Sequence, residues 1–153
     1  MSASAFAPRN PDFASAVRAS FVRQGMMATL GAELVSVEPG RTCIAALITE
    51  ATGQQHGYAH AGLAWTIGNS TAGYAALSLR AEGEDVLTVE MKINLIAPAA
   101  GRRLIAEGRV LSAGRRLLTV ASDIHAEAAD GTRRHVAIML RTMTAAAFDP
   151  RPS

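Results

Sequence analysis

Residues 60–81 read HAGLAWTIGNSTAGYAALSLRA, and this stretch decides the fold. Charged side chains are absent from residues 61–79, and apolar or small residues occupy nearly every side of a helical turn. A helix that is apolar on all sides has to be buried in the protein. Since Gly, Ser, Thr and Asn make this stretch too polar for a membrane span, it predicts a long buried helix in a soluble protein.

The sequence on both sides of this helix alternates between apolar and polar residues, as is typical of β-strands. Before it, the pattern predicts a helix starting at the N-cap Asn10 and a β-hairpin, at 10–24, 32–38 and 42–49. After it, four further strands are predicted, at 86–97, 103–112, 116–127 and 134–146. This order predicts an α+β fold in which a curved antiparallel sheet wraps around the long central helix.

The predicted strand at 86–97 alternates between apolar and polar side chains. Strict alternation places the two kinds of side chain on opposite faces of the sheet. The predicted apolar face holds Leu87, Val89, Met91, Ile93 and Leu95, and the polar face holds Thr88, Glu90, Lys92 and Asn94. Thr88 and Glu90 are therefore expected on one face, about 7 Å apart along the strand.

Length and composition indicate an ordinary globular domain. With 153 residues, the chain is predicted to form one domain at 10–147, flanked by tails at 1–9 and 148–153. A net charge of +2 is too small for a nucleic-acid-binding surface. The single cysteine, Cys43, excludes an internal disulfide and a cysteine-based zinc site, and the N-terminus lacks the pattern of a secretory signal. We therefore expect a cytoplasmic protein that binds neither nucleic acid nor membranes.

Two histidines in the loop before the central helix raise the hypothesis of a metal site. His56 and His60 have the i, i+4 spacing of a helical ligand pair, but Gly57 interrupts it and the sequence offers no third ligand. We predict no metal, and we interpret His60 as a hydrogen-bonded residue at the junction of loop and helix. His125 and His135, on predicted strands, have no partner that the pattern identifies.

The segment Gln54–Gly62, together with Asn69, resembles the hotdog-fold acyl-CoA thioesterases, and among them the phenylacetyl-CoA (PaaI-like) group. That group carries a His-Gly-Gly signature at the start of its central helix and a catalytic Asp or Glu nine residues after the histidine. Here the signature reads His60-Ala61-Gly62, and Asn69 stands nine residues after His60. The element order matches as well, and two more runs look similar to the family, Gly73–Leu77 and Thr88–Asn94.

The resemblance implies a thioesterase that hydrolyses a small, medium-chain or aromatic acyl-CoA to the free acid and CoA. The backbone N–H of Ala61 would hold the oxyanion, at a helix end where the dipole favours negative charge. Gln54 matches a position that assists the carbonyl or orders water. Thr88 matches a Ser or Thr that crosses a dimer interface to hold water beside Asn69 of the other chain.

By the same resemblance, coenzyme A is part of the substrate and no other cofactor is implied. His60 and Gly62 would contact it at the helix start, and Arg115 and Arg116 would bind its phosphates. The assembly would be a homodimer joined edge to edge through its sheets, and two dimers would form a tetramer. The acyl pocket would be lined by the small residues of the helix and by two aromatic residues, Trp65 and Tyr58.

Asn69 departs from the family pattern at the catalytic position. An amide has no basic lone pair near neutral pH, so it serves neither as general base nor as nucleophile. Three interpretations follow: an engineered inactive form, a natural member with altered activity, or an acyl-CoA-binding protein that does not hydrolyse its ligand. Glu90 is the nearest alternative carboxylate, although an ion pair with Lys92 or an Arg, at the surface or at an interface, is the better interpretation for it. A hotdog hydratase ranks last, since its paired His and carboxylate motifs are missing.

Overall fold

The computed structural model describes residues 6–147, and its helices and strands follow the predicted order. Residues 1–5 and the predicted tail at 148–153 lie outside the described residues. The helices are α1 (Phe13–Val22), α2 (Gly25–Thr29) and α3 (Ala61–Leu77), and a 3₁₀ turn covers Glu50–Thr52. The strands are β1 (Glu33–Glu38), β2 (Arg41–Leu47), β3 (Glu84–Leu95), β4 (Arg103–Ala113), β5 (Leu117–Glu127) and β6 (Arg133–Ala147).

The six strands form one antiparallel sheet in the order β1-β2-β4-β5-β6-β3, so β1 and β3 are its edges. α3 lies on the inner face of this sheet and contacts every strand from β2 to β6. Ten of the 17 residues of α3 are buried, which confirms the predicted buried helix. The predicted α+β arrangement of a sheet around a central helix is therefore confirmed.

Hydroxyl groups of the sheet fix the position of α3. The side chains of Thr42 and Ser122 donate to the backbone carbonyls of Thr71 at 2.7 Å and Gly68 at 2.9 Å. At Gly108 the helix approaches the sheet so closely that a Cβ would lie 2.7 Å from the carbonyl oxygen of Thr71. These buried hydroxyls can reach their acceptors only when α3 has one particular orientation about its own axis. They therefore determine which side of α3 faces the sheet.

The core follows α3 along its length. Around its N-terminal half, Ile67 packs among large side chains of the sheet, namely Ile44, Leu104, Ile124 and Met139. Around its C-terminal half, alanines of α3 pack against Leu118, Val120 and Met143. Phe6, in the segment predicted as an N-terminal tail, packs against this second cluster. Since each large apolar side chain contributes about 1.5–3 kcal/mol when buried, both ends of α3 are held firmly.

The N-terminal helix differs from its prediction in two respects. α1 begins with Asp12 as N-cap rather than Asn10, because the Asn10 side chain accepts a hydrogen bond from the Asp12 N–H at 2.9 Å and forms a turn instead. α1 also ends at Val22, and a separate short helix, α2, follows at Gly25–Thr29. The predicted helix at 10–24 is thus the shorter helix α1, and α2 is an additional helix that the sequence analysis did not predict.

A β-bulge in β3 overturns the predicted alternation of this strand. The pairing with β6 shifts between Thr88 and Glu90, so that Thr88 lies opposite Met143 and Glu90 opposite Thr142. Since neighbouring residues of β6 point to opposite faces, Thr88 faces α3 whereas Glu90 faces outward. The prediction that these two side chains share a face was wrong. Val89, the bulge residue, is 57% exposed instead of buried.

Candidate active site

The start of α3 is organised by its N-cap residue, His60. The Nδ1 atom of His60 accepts a hydrogen bond from the Gly62 N–H at 2.8 Å. A Cβ at Gly62 would lie 2.8 Å from this same nitrogen, so a larger residue would disturb the cap. This geometry confirms the interpretation of His60 as the residue that fixes the loop-to-helix junction. The neighbouring Ala61 N–H has no acceptor among residues 6–147.

A cavity of about 640 Å³ opens at this helix start. Gln54, His60 and Ala61 line it together, and apolar residues complete its wall, among them Tyr58, Ala64, Leu95, Ile96, Pro98 and Val136. The Gln54 side chain accepts a hydrogen bond from the His56 N–H, which fixes the amide in the loop. Of the two aromatic residues predicted for an acyl pocket, Tyr58 lines this cavity, whereas Trp65 does not belong to its wall and lies 39% exposed on α3.

Asn69 lies in a second, smaller cavity of about 190 Å³, farther along α3. The Asn69 Oδ1 atom is buried and has no hydrogen-bond partner among the described residues. Ser70 and Gly73 of the helix, Asp85 of β3 and Arg141 of β6 line the same cavity. This wall is more polar than that of the larger cavity, so the two cavities suit different parts of a ligand.

Arg141 is the feature of this second cavity that the sequence analysis missed. It is 6% exposed, and its guanidinium donates one hydrogen bond to the Asn69 carbonyl oxygen and another to Thr88 Oγ1. Burial lowers the pKa of Arg141 to about 10, so the side chain is charged at neutral pH. Its inward position between Met139 and Met143 on a strand is the sequence signal that identifies it.

The two cavities divide the predicted catalytic residues into two groups. We call Gln54, His60 and Ala61 the N-terminal half-site, and Asn69, Thr88 and Arg141 the Asn69 half-site. Ala61 and Asn69 are eight residues apart on α3, which is about 12 Å along the helix axis at 1.5 Å per residue. One thioester group therefore cannot touch both half-sites of a single chain.

The comparisons with known proteins agree with the fold and the signature. Residues 56–130 match the family model of the thioesterase superfamily. A thioesterase family protein from Silicibacter pomeroyi, solved by crystallography, is 41% identical; the alignment covers 89% of this chain and 99% of that one, with a TM-score of 0.85. The chain belongs to the thioesterase superfamily. No curated protein matches it.

More distant structures share the hotdog fold with this thioesterase-superfamily chain. The Escherichia coli PaaI protein, from the phenylacetic acid degradation operon, is 16% identical, with coverages of 89% of this chain and 94% of that one and a TM-score of 0.77. A thioesterase from Haemophilus influenzae is also 16% identical, with coverages of 80% and 82% and a TM-score of 0.71. At sequence identities this low, the similarity to these two structures shows a shared fold only.

Some predicted site residues of this thioesterase-superfamily chain lie away from both half-sites. Arg115 lines a separate cavity together with Leu79, which lies just beyond the C-terminal end of α3, and Arg116 follows Arg115 in the β4–β5 turn. Glu90 accepts a hydrogen bond from Thr142 Oγ1 at 2.8 Å on the outer face of the sheet. The idea that Glu90 replaces the missing carboxylate at Asn69 is therefore wrong.

Residues 6–147 contain neither a candidate metal site nor a candidate membrane-spanning helix. In that range no three side chains from His, Cys, Asp and Glu are grouped so as to hold a metal ion. The helices of the same range are too short or too polar to cross a membrane.

Proposed function

We propose that this protein is an acyl-CoA thioesterase that hydrolyses a small, medium-chain or aromatic acyl-CoA. The observation that carries the proposal is the unpartnered N–H of Ala61 at the start of a 17-residue buried helix, open to an apolar cavity of about 640 Å³. Such an N–H stabilises the oxyanion that forms when a thioester carbonyl is attacked, and the helix dipole adds to this effect.

The complete site is formed by two chains. β3 is an edge strand of 12 residues, and it exposes apolar side chains at Leu87, Val89 and Leu95. An exposed apolar edge strand of this length has backbone groups free to pair with another strand. A second copy of β3 would pair with them and continue the sheet. Under two-fold symmetry the two α3 helices run antiparallel, so the N-terminal half-site of one chain faces the Asn69 half-site of the other.

This arrangement changes one role that the sequence resemblance implied. Thr88 accompanies Asn69 of its own chain, since both contact the same Arg141 guanidinium. Ala61 is then the residue that acts across the interface. Its N–H donates to a thioester that lies at the Asn69 half-site of the partner chain. Pairing of two such dimers into a tetramer remains a prediction from the resemblance.

In this composite site, the thioester carbonyl oxygen accepts a hydrogen bond from Ala61, and Gln54 orients the carbonyl. A water held by Asn69 and Thr88 of the other chain attacks the carbonyl carbon. When the carbon–sulfur bond breaks, one proton of that water passes to the CoA sulfur and the second leaves to solvent, so the products are the CoA thiol and the carboxylate. Asn69 orients the water without accepting its proton, so hydrolysis is slow compared with a chain that has a carboxylate there. Arg102, exposed just beyond the cavity residue Ala99, is better placed than Arg115 to meet the CoA phosphates.

A second candidate function is acyl-CoA binding without hydrolysis. It is favoured by a specific observation: at neutral pH neither Asn69 nor the charged Arg141 beside it accepts a proton. The two candidates differ in turnover but not in binding, so they are separable by one experiment.

That experiment measures free-thiol release from short-chain, medium-chain and phenylacetyl-CoA by the native chain, Asn69→Asp and the control Asn10→Asp. We expect slow turnover by the native chain and a rise of kcat by about 10²-fold in Asn69→Asp, because a general base contributes at least that much. Asn10→Asp adds the same charge in a turn and should leave kcat unchanged. Acyl-CoA binding without turnover by either the native chain or Asn69→Asp would favour the second candidate, and absence of binding would refute both.

A further inference from the structure

Arg141 is a buried cation that lacks a counter-ion. It is 6% exposed, and none of the ion pairs formed by residues 6–147 involves it. Its two acceptors, the Asn69 carbonyl oxygen and Thr88 Oγ1, are neutral. Burial of an unpaired charge is strongly unfavourable unless an anion or a hydrogen-bond network compensates for it. The position of Arg141 on the wall of a cavity indicates where such an anion would lie.

The guanidinium keeps donors available for a ligand. It has five N–H groups, of which two are used, and its Nε atom is buried without a partner. Next to it, the Asn69 side-chain amide also has no partner for its oxygen. An amide can turn its NH₂ group toward an anion, whereas a carboxylate at this position would repel one. The unpaired Arg141 charge is therefore the group that points to an anion, and the Asn69 amide can accommodate that anion by presenting its NH₂ group.

The size and charge of the cavity select the ligand class. A volume of about 190 Å³ holds a small organic acid but not a nucleotide. One guanidinium supplies a single positive charge, which matches a carboxylate better than a phosphate dianion, and its parallel N–H groups fit the two carboxylate oxygens. Asp85 lines the same cavity, but among residues 6–147 it forms no ion pair with Arg141, and its carboxylate accepts a hydrogen bond from the Val86 N–H.

We propose that the Arg141 cavity binds the carboxylate of a small organic acid. The carboxylate comes either from the acid released by hydrolysis or from the far end of an acyl group that carries a second carboxyl. In both cases Arg141 and the Asn69 amide hold the anion in the Asn69 half-site. The origin of the acid rests on the proposed thioesterase function, whereas the binding of free carboxylates does not.

The test uses the full chain and free carboxylates, so that it needs no turnover. Thermal unfolding and calorimetry are measured with sodium acetate, butyrate and succinate, at an ionic strength held constant with sodium chloride. We expect Tm to rise by about 3 °C at ten times Kd for the native chain. An unchanged Tm and no heat of binding with all three acids would overturn the proposal, whatever the variants do. A rise of equal size with sodium phosphate would also overturn it, because the site would then lack the proposed selectivity.

Three variants locate the binding. Arg141→Met should lose the rise in Tm, Arg141→Lys should bind about ten-fold more weakly because a lysine lacks the paired donors, and Arg18→Met should behave as the native chain. Arg18 is exposed on α1 and serves as the matched control. Retention of native carboxylate affinity by Arg141→Met would contradict the proposal. Failure of Arg141→Met to fold leaves Arg141→Lys to decide, since native affinity in that variant would refute the paired-donor geometry.

The two sources of the carboxylate are separated by a comparison of succinyl-CoA with butyryl-CoA. Tighter binding of succinyl-CoA that disappears in Arg141→Met supports a carboxylate at the far end of the acyl group. Equal affinities, together with a Tm rise from butyrate, support capture of the released acid. Because these are binding measurements, a chain that binds carboxylates but shows no hydrolysis would sustain this inference while refuting the proposed function.

Discussion

The two half-sites on α3 are built by different means. The N-terminal half-site relies on backbone: a capped helix start, a free N–H at Ala61 and a glycine at 62 that leaves room for the cap. The Asn69 half-site relies on side chains, and its charge comes from the buried Arg141. A backbone donor survives most substitutions, whereas a side-chain site changes its chemistry with one residue. Under the proposed function, the comparison explains how a chain can keep a backbone donor for the oxyanion although Asn69 stands where the resemblance implies a carboxylate.

The largest expected effect comes from removing the backbone donor of the N-terminal half-site. Ala61→Pro deletes the N–H at the first helical position, where proline is well tolerated by a helix. We expect kcat for acyl-CoA hydrolysis to fall by about 10²–10³-fold, the usual contribution of one oxyanion donor. Free-thiol release is measured in the Asn69→Asp chain, with Ala61→Gly as the control that keeps the N–H. Unchanged kcat in Ala61→Pro would show that this half-site does not hold the oxyanion.

Arg141→Met tests whether the buried charge in the Asn69 half-site lowers the free energy of unfolding. Replacement of an unpaired buried charge by an apolar side chain should raise the free energy of unfolding by about 1–4 kcal/mol at pH 7. The folded-state pKa of about 10 lies below the ordinary value of arginine, so the charge destabilises the fold below pH 10 and this penalty fades as pH rises above 10. Urea unfolding at several pH values should thus show a gap between Arg141→Met and native that narrows above pH 10. Lower stability of Arg141→Met at pH 7 would contradict this prediction.

His60→Ala tests the cap that positions the N-terminal half-site. Loss of the hydrogen bond from the Gly62 N–H to His60 Nδ1 should lower the free energy of unfolding by about 0.5–2 kcal/mol. His56→Ala is the matched control, because that residue is exposed in the same loop and uses its backbone N–H to contact Gln54. Equal losses from both variants, measured by urea unfolding, would argue against a specific cap.

The smallest effect is expected outside both half-sites. Glu90→Gln keeps an acceptor for the Thr142 hydroxyl on the outer face of the sheet. We expect kcat and KM for acyl-CoA to stay within about two-fold of the native values, and stability to change by less than about 0.5 kcal/mol. A large loss of turnover would return Glu90 to the active site and would require a different β3 register from the one observed.

The sequence predicted the fold well because its signals are periodic. An uncharged run at 61–79 identified α3, and alternation identified the strands, since burial on one face repeats every second residue. The bulge at Val89 was missed because apolar residues at Leu87 and Val89 fit a strict alternation, although both are exposed at the sheet edge. Apolar side chains on an edge strand therefore do not show whether they face the core or form an exposed surface that another chain can cover.

The site was predictable where it depends on spacing along one element. The spacing from His60 to Asn69 identified residues that line the two cavities, and the 12 Å between Ala61 and Asn69 follows from helical rise alone. Arg141 was missed because it comes from a strand 72 residues beyond Asn69. Its place between Met139 and Met143 indicates an inward side chain, but the sequence does not show which part of α3 that side chain reaches. Pairing across the fold, rather than residue type, determines the charge of the Asn69 half-site.

The claim that two chains share each site is tested most directly by mixing two disabled chains. One carries Ala61→Pro with Asn69→Asp, and the other carries Asn69→Ala, so each alone lacks one half of every site. If the site is shared, mixed dimers contain one intact site, and random exchange of subunits should restore about a quarter of the turnover of the Asn69→Asp dimer. If each chain forms its own site, the mixture will release no more thiol than the two separate variants, and the shared site is refuted.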